Sequence, residues 1–208
     1  MVRVLELFSG TGSVGKVCEE FNYEVVSLDL ENATINTNIL DWDYKKDFNE
    51  GDFDIIWASP PCHKFSKLRA CWIGKTLKQF GDTIVTKEML ENDMIENGLP
   101  IVNKTLEIIE YFKPKTFFIE NPKTGRMKEF LTHLNYYDVD YCQYSTWGYK
   151  KSTRIWTNLE GFTPKICNEN CINKIGNRHK IDVSREISDI KLRYRIPYKL
   201  IRELFRSI

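Results

Sequence analysis

The stretch Val2-Arg3-Val4-Leu5-Glu6-Leu7-Phe8-Ser9-Gly10-Thr11-Gly12-Ser13-Val14-Gly15 decides how this chain folds. Residues 2–7 form a short apolar run broken by one acid, which reads as a strand. Gly10, Gly12 and Gly15 make a G-x-G-x-x-G before a helix expected over residues 14–21, with Val14, Val17, Cys18 and Phe21 on one face. The glycines let backbone approach a ligand, and the helix N-terminus favours negative charge or polar acceptors. A second strand over 24–28 ends at Asp29, where an acid accepts hydrogen bonds from a ribose diol. This pattern points to an adenosine-containing cofactor without saying which one.

The alternation continues outward. Residues 54–58 and 116–119 are strands apolar on both faces. Between them Pro100 opens a helix at a position where its missing N–H costs nothing, with Val102, Leu106, Ile109 and Phe112, or their neighbours, as its stripe. Residues 136–144 and 154–157 read as later strands. Residues 197–208 read as an amphipathic helix with Leu200, Ile201, Leu204, Phe205 and Ile208 inward. The expected fold class is α/β, a Rossmann-like, doubly wound and mostly parallel sheet. Two stretches break the pattern. Residues 63–98 lack clear periodicity and read as a long functional loop. Residues 158–190 are polar and basic and read as a small insert. The expected division is a catalytic core at 1–157, the insert at 158–190 and a C-terminal helix at 191–208 that returns to the core.

With 208 residues, 42% hydrophobic and 28% charged, the chain has the composition of a soluble globular protein, monomeric by default. It has no apolar run long enough to span a bilayer and no signal peptide at its start, so the expected place is the cytoplasm, or a nucleus, and not outside the cell. Its six cysteines then read as packing, catalytic or metal residues. Net charge is +1, but residues 1–100 carry ten Lys and Arg against seventeen Asp and Glu, and residues 101–208 carry twenty against twelve. A basic back half suits a protein that meets a polyanion with one face; an unevenly charged solvated surface fits the same counts.

Two strand ends carry chemistry. Asp54-Ile55-Ile56-Trp57-Ala58 runs into Ser59-Pro60-Pro61-Cys62, and the prolines force the chain out of the sheet. A thiol in that loop is a candidate nucleophile or a packed cysteine, with nothing local to separate the two. Thr116-Phe117-Phe118-Ile119 runs into Glu120-Asn121-Pro122. A partly buried carboxyl facing the same pocket suits a general acid. Glu6-Leu7-Phe8-Ser9 before the glycines puts a phenylalanine and a serine where a pyrophosphate needs room, which favours a methyl donor over NAD. Asp41, after Ile39-Leu40, is a further acid at an expected strand end that either holds an adenine amino group or caps its own turn.

These residues resemble the DNA cytosine-5 methyltransferase family. The match runs in order through Leu7-Phe8-Ser9-Gly10-Thr11-Gly12, Asp29, Asp41, Ser59-Pro60-Pro61-Cys62, Ile119-Glu120-Asn121-Pro122, the segment from Lys150 to Trp156, and Arg195-Ile196-Pro197-Tyr198-Lys199-Leu200. The resemblance implies a methyltransferase fold that uses S-adenosyl-L-methionine, with DNA as partner. It implies that Cys62 adds to carbon 6 of a flipped cytosine, that Glu120 holds the base and donates a proton, and that Arg154 grips the base carbonyl. It further implies cofactor contacts from Phe8, Ser9, Gly10, Thr11, Gly12, Ser13, Asp29, Leu30, Asp41, Trp42 and Pro60. Substrate contacts would come from Pro61, Ser66, Asn121, Pro122, Lys150 and Lys151. Residues 63–98, with Lys64, Lys67, Arg69 and Trp72, correspond to a mobile loop that closes over the base. RNA, tRNA included, is the alternative substrate for the same pocket, and a catalytically silent binding subunit or an NAD oxidoreductase are the other classes to separate.

The chain departs from the family pattern at His63 and Pro122, where glutamine and valine are usual, and at Lys150, Lys151 and Ser152, where more arginine is expected. The target-recognition region is cut to 158–190, which implies relaxed or very short sequence specificity. In that insert Cys167 and Cys171, with His179 eight residues on, have the spacing of zinc ligands. A structural site wants four ligands, and Cys142 is a fourth only if the fold brings it close, so the sequence commits to no metal. Lys165, Lys174, Arg178, Lys180 and Arg185 make phosphate contact plausible, and Arg193 and Arg195 extend that face.

Overall fold

The computed structural model describes every residue except Ser184, which lies within the 158–190 insert. The first half of the chain forms β1 (Arg3–Leu7), α1 (Ser13–Phe21), β2 (Glu24–Asp29), β3 (Ile35–Asn36), α2 (Tyr44–Asp47) and β4 (Ile55–Ala58). A small hairpin, β5 (Thr76–Leu77) and β6 (Thr83–Ile84), precedes α3 (Lys87–Asn97) and α4 (Leu99–Phe112). Then come β7 (Thr116–Pro122), β8 (Tyr136–Asp140), β9 (Ser152–Thr157), the hairpin β10 (Lys174–Ile175) and β11 (Arg178–His179), α5 (Ile190–Tyr194) and α6 (Tyr198–Phe205).

Seven strands form one sheet in the order β3-β2-β1-β4-β7-β9-β8. The first five are parallel, and β9 and β8 join antiparallel. The fold is therefore the α/β, mostly parallel sheet expected from the sequence. The central strands are mostly apolar because both faces are covered. Leu5, Leu7 and Ile56 pack on one side with Val102, Ile108 and Phe112 of α4; Val4, Ile55 and Trp57 pack on the other with Val14 and Val17 of α1 and Leu200 and Leu204 of α6. Strand order reverses at β1: β2 lies on one side of it and β4 on the other. The crevice outside the carboxyl ends of β1 and β4 is thus the switch point where such sheets bind ligands.

The structure revises several expected elements. Residues 63–98 are folded: 3-10 turns at His63–Phe65 and Lys67–Trp72, the β5–β6 hairpin, and α3. α3 escapes periodicity because Met94 is its one buried residue; Thr86 starts it by accepting the Met89 N–H at 3.1 Å. On α4 the buried stripe is Val102, Thr105, Ile108, Ile109 and Phe112, with Leu106 beside it. The strand expected over 136–144 stops at Asp140, and Tyr141–Gln143 turns out of it. Ile208 lies beyond α6, half exposed. Among the described residues no helix is long and apolar enough to cross a membrane.

Candidate active site

The β1–α1 turn is built on backbone that few residues tolerate. Phe8, Gly10 and Gly12 have φ of 61°, 50° and 63°. Gly12 sits in the left-handed region at the start of α1, and a side chain there would be strained. Both oxygens of Asp29 are held: Gly10 N–H of this turn donates to Oδ2 at 2.8 Å, and the N–H of the next residue, Leu30, to Oδ1 at 2.7 Å. A carboxylate has about four acceptor positions, so two remain for a diol. Ser13 Oγ accepts the Ile196 N–H at 3.2 Å and lies 2.9 Å from Thr11 Oγ1, which brings the C-terminal segment to the glycine turn. Ser9 is buried, and Phe8 packs at the edge of the core.

Glu6 gives the turn its chemical character, and the sequence reading left it without a role. It points off β1 to the start of α1, only 3% exposed, and its two oxygens accept the N–H groups of Val14 and Gly15 at 3.2 Å each. Burial raises its pKa to about 7, against the pull of those two donors. The helix N-terminus that would bind a pyrophosphate therefore already carries an acid of the chain itself. The signal was present in the sequence as the one acid inside an otherwise apolar strand.

Asp41 and Trp42 do not sit as expected. β3 ends at Asn36, and Asp41 lies exposed in a turn closed by its N–H to the Asn38 carbonyl at 2.9 Å. Trp42 is 6% exposed, packed against Tyr44, Phe48 and Phe112, with Nε1 donating to Asp47 at 2.9 Å. The structure uses this indole in the core.

Across the switch point, β4 and its parallel neighbour β7 bring Cys62 and Glu120 out at the same end of the sheet. Asn121 Nδ2 donates to the Pro60 carbonyl at 2.8 Å and ties the two turns together. Glu120 is 5% exposed; Oε1 accepts the Tyr141 hydroxyl at 2.8 Å and lies 3.6 Å from Lys151 Nζ. Lys151 also stands 4.9 Å from the centre of the Tyr141 ring and donates to the Arg193 carbonyl at 3.3 Å. Burial pushes the Cys62 thiol up, Glu120 adds to that, and Lys151 opposes it. Burial and the Glu120 carboxylate hold the Tyr141 phenol well above its ordinary range, so it remains a donor. Tyr141 had no role in the sequence reading, since nothing in a Tyr-Cys-Gln run marks one tyrosine as facing an acid twenty-one residues away.

Arg154 is not brought to this group. Glu120 pairs with Ile155 across the β7–β9 ladder, and directly opposed residues share a face, so neighbouring Arg154 points to the other face of the sheet. There it stacks 3.5 Å over the Tyr136 ring and forms a two-point pair with Asp138, at 2.8 and 3.0 Å. Of the remaining expected contacts, Pro61 is exposed, Pro122 closes β7 opposite Thr153, and Lys150 pairs with Asp140 at 3.2 Å. Ser66 Oγ accepts the Leu68 N–H at the start of a 3-10 turn.

A cavity of about 1070 Å³ opens between the 3-10 turns and α3, lined by Lys64, Ser66, Lys67, Arg69, Lys87 and Arg126 among others. Lys64 and Arg69 both pair with Asp93 of α3, and Arg126 pairs with Glu91 and Glu129. Lys64 and Arg69, expected in the loop that closes over the base, are thus held internally, as is Arg126.

No family model matches the chain. Solved structures with a similar course include DNMT2 of Spodoptera frugiperda as a triple mutant (TM-score 0.47, 19% identity, 80% of this chain and 54% of that one). The Dnmt2 methyltransferase of S. pombe gives a TM-score of 0.45 at 18% identity over 81% of this chain and 54% of its own. The chain spans about half the length of these two structures. A probable DNA (cytosine-5)-methyltransferase of Frog virus 3 (isolate Goorha) is 44% identical over 98% of both chains. At that identity over nearly the full length, the chain belongs to the DNA (cytosine-5)-methyltransferase family.

Proposed function

We propose that the chain transfers a methyl group from S-adenosyl-L-methionine to carbon 5 of cytosine in DNA, through a covalent adduct on a base flipped out of the duplex. The observation that carries this reading is the grouping of Cys62, Glu120, Tyr141 and Lys151 at the carboxyl ends of β4 and β7, across the switch point from the glycine turn. S-adenosyl-L-methionine, when bound, supplies the electrophilic methyl of a sulfonium. The turn fits it: Glu6 occupies the α1 amides, so a pyrophosphate would meet a buried acid, whereas the methyl donor has no phosphate to place. Phe8, Ser9, Gly10, Thr11, Gly12, Ser13, Asp29, Leu30 and Pro60 would hold it, with Asp29 on the ribose.

Cytosine carbon 5 is a poor nucleophile. Addition of the Cys62 sulfur to carbon 6 makes carbon 5 enamine-like. Glu120, its Oε1 fixed by Tyr141, holds the exocyclic amine and passes a proton to ring nitrogen 3 as the sulfur adds. Lys151 takes the place at the base carbonyl that the family resemblance gave to Arg154, and its charge draws the Cys62 thiol toward thiolate. After carbon 5 is methylated, loss of its proton to a base and cleavage of the carbon–sulfur bond release the product and restore Cys62. The target atom is out of reach inside a duplex, hence the flip. Residues 63–98 would close over the base, with Lys64 and Arg69 exchanging Asp93 for phosphate and Ser66, Pro61, Asn121, Pro122 and Lys150 flanking the substrate.

The test offers labelled S-adenosyl-L-methionine with DNA, tRNA and cytidine nucleotides to wild type and to Cys62→Ala. Label in DNA that vanishes in the variant supports the reading; label in tRNA alone, or in none of the three, sinks it. The short 158–190 insert predicts methylation at very short sites, and bisulfite sequencing that confined it to one long motif would contradict that part.

A further inference from the structure

We infer that Cys142, Cys167, Cys171 and His179 bind one zinc ion in a structural, tetrahedral site that pins the basic insert to the sheet. The four residues come from three separate places: the turn that ends β8, the loop carrying the two cysteines four residues apart, and β11. Their ligand atoms all lie within 4.8 Å of one another. Cys167 Sγ is 3.5 Å and Cys171 Sγ 3.7 Å from the same nitrogen, His179 Nε2. Tetrahedral zinc, with its usual bond lengths to sulfur and imidazole nitrogen, sets those atoms about 3.6 Å apart. Those two pairs join residues twelve and eight positions apart, and the turn after β8 brings Cys142 to the same group.

Two plainer readings explain less. Ordinary packing would bury apolar groups, yet this cluster turns a histidine nitrogen onto two sulfurs. A disulfide would use two of the three thiols and leave the third, and the imidazole, without a purpose; all three are free here. The surroundings are those of a metal site, where outer partners hold the ligands in place. Cys167 N–H donates to Asp140 Oδ2 at 2.8 Å, and Ser152 holds the other oxygen of that carboxylate. Asn173, 1% exposed, donates to the Cys142 and Ser145 carbonyls at 2.7 and 2.8 Å and accepts the Gly148 N–H at 2.9 Å. Lys180 N–H donates to the Asn173 carbonyl at 2.9 Å, so the hairpin with His179 is fixed to the same support.

The insert has a reason to need an ion. Ile166, Ile172 and Ile175 are 50–72% exposed, and the hairpin has two residues in each strand. So short a segment has too little apolar burial to fold by itself, and a metal supplies the missing crosslink. The ion would then also fix the direction in which Lys174, Arg178 and Lys180 face.

The experiment measures metal in the full-length protein, expressed in zinc-replete medium and purified without chelator. Elemental analysis should give close to one zinc per chain in wild type and in Cys62→Ala, and well under half in Cys171→Ser and His179→Ala. His179→Cys, which keeps four ligands, should retain the ion, so that loss in the other two cannot be put down to misfolding alone. Cobalt added to the reduced, zinc-stripped protein should give the visible bands of a tetrahedral site and a near-ultraviolet thiolate band. Zinc below about a fifth of an equivalent together with no cobalt bands would overturn the proposal, as would zinc that stays undiminished in Cys171→Ser.

Discussion

The parallel half of the sheet and its antiparallel edge are built by different means, and they divide the work accordingly. β1 and β4 are buried on both faces, and the turns that leave them are placed by a continuous apolar layer. β9, β8 and the residue just before β9 instead supply Arg154, Asp138, Asp140 and Lys151, held by ion pairs and hydrogen bonds. The first half fixes where Cys62, the proposed nucleophile, and the glycine turn stand. The second brings charge to them and attaches the insert. A change in the first should therefore separate chemistry from folding cleanly, and a change in the second should mix them.

Cys62→Ala is the sharpest case. The thiol sits past the end of β4, outside the packed layer, so melting should move little while methyl transfer falls by at least about 10⁴-fold, as for loss of other covalent nucleophiles. A residual rate within tenfold of wild type would mean that the sulfur adds to nothing.

Glu6 is the exception inside the parallel half, since it costs stability to keep there. Its folded pKa is about 7 against an ordinary 4.5. Between those values the folded state binds the proton and the unfolded state does not, so stability is highest below about pH 4.5 and declines as pH rises toward 7. The fall from this one group is about 3 kcal/mol, at 1.36 kcal/mol per pH unit. Glu6→Gln should flatten that slope in denaturant titrations run at several pH values. An unchanged slope would show that the carboxyl is not responsible.

What the sequence revealed follows the same division. Strands β1, β2, β4 and β7, the glycine turn, Cys62 and Glu120 were legible because deep burial writes itself as apolar runs and because chain breaks such as Pro60-Pro61 mark where they end. α3 was not legible, since a helix with one buried residue has no stripe. The cluster proposed to hold zinc was legible in three of its members, with Cys142 a fourth only on condition that the fold brought it close, and the turn after β8 meets that condition. Arg154 was misplaced for a reason of register: β9 alternates faces, and a shift of one residue from Ile155 sends the side chain through to Asp138.

Two cations, Lys151 just before β9 and Arg154 within it, test that register directly. Lys151→Met should lower kcat by roughly 10²-fold, in the range for loss of one preorganised charge at a reacting group. It should also raise the pH at which Cys62 is alkylated by iodoacetamide, because Lys151 is what opposes burial and Glu120 there; a Cys71→Ser background removes the exposed competing thiol. Arg154→Leu should leave that titration where it is and act on folding, at about 1–3 kcal/mol for the carboxylate of Asp138 left without its main partner. If Arg154→Leu shifted the thiol titration and Lys151→Met did not, the faces would be assigned the wrong way round.

The smallest effect is the most local. Tyr141→Phe removes one hydroxyl and keeps the ring under Lys151. Glu120 would lose its 2.8 Å donor in a nearly dry position but keep Lys151, so the carboxylate is loosened and not stranded. The expected result is about a tenfold drop in kcat with KM for DNA unchanged, since in the proposed mechanism the hydroxyl steadies the group that protonates the base and touches no other part of the duplex. A rise in KM with kcat intact would instead make Tyr141 part of the substrate surface, and the antiparallel edge would then bind more than it catalyses.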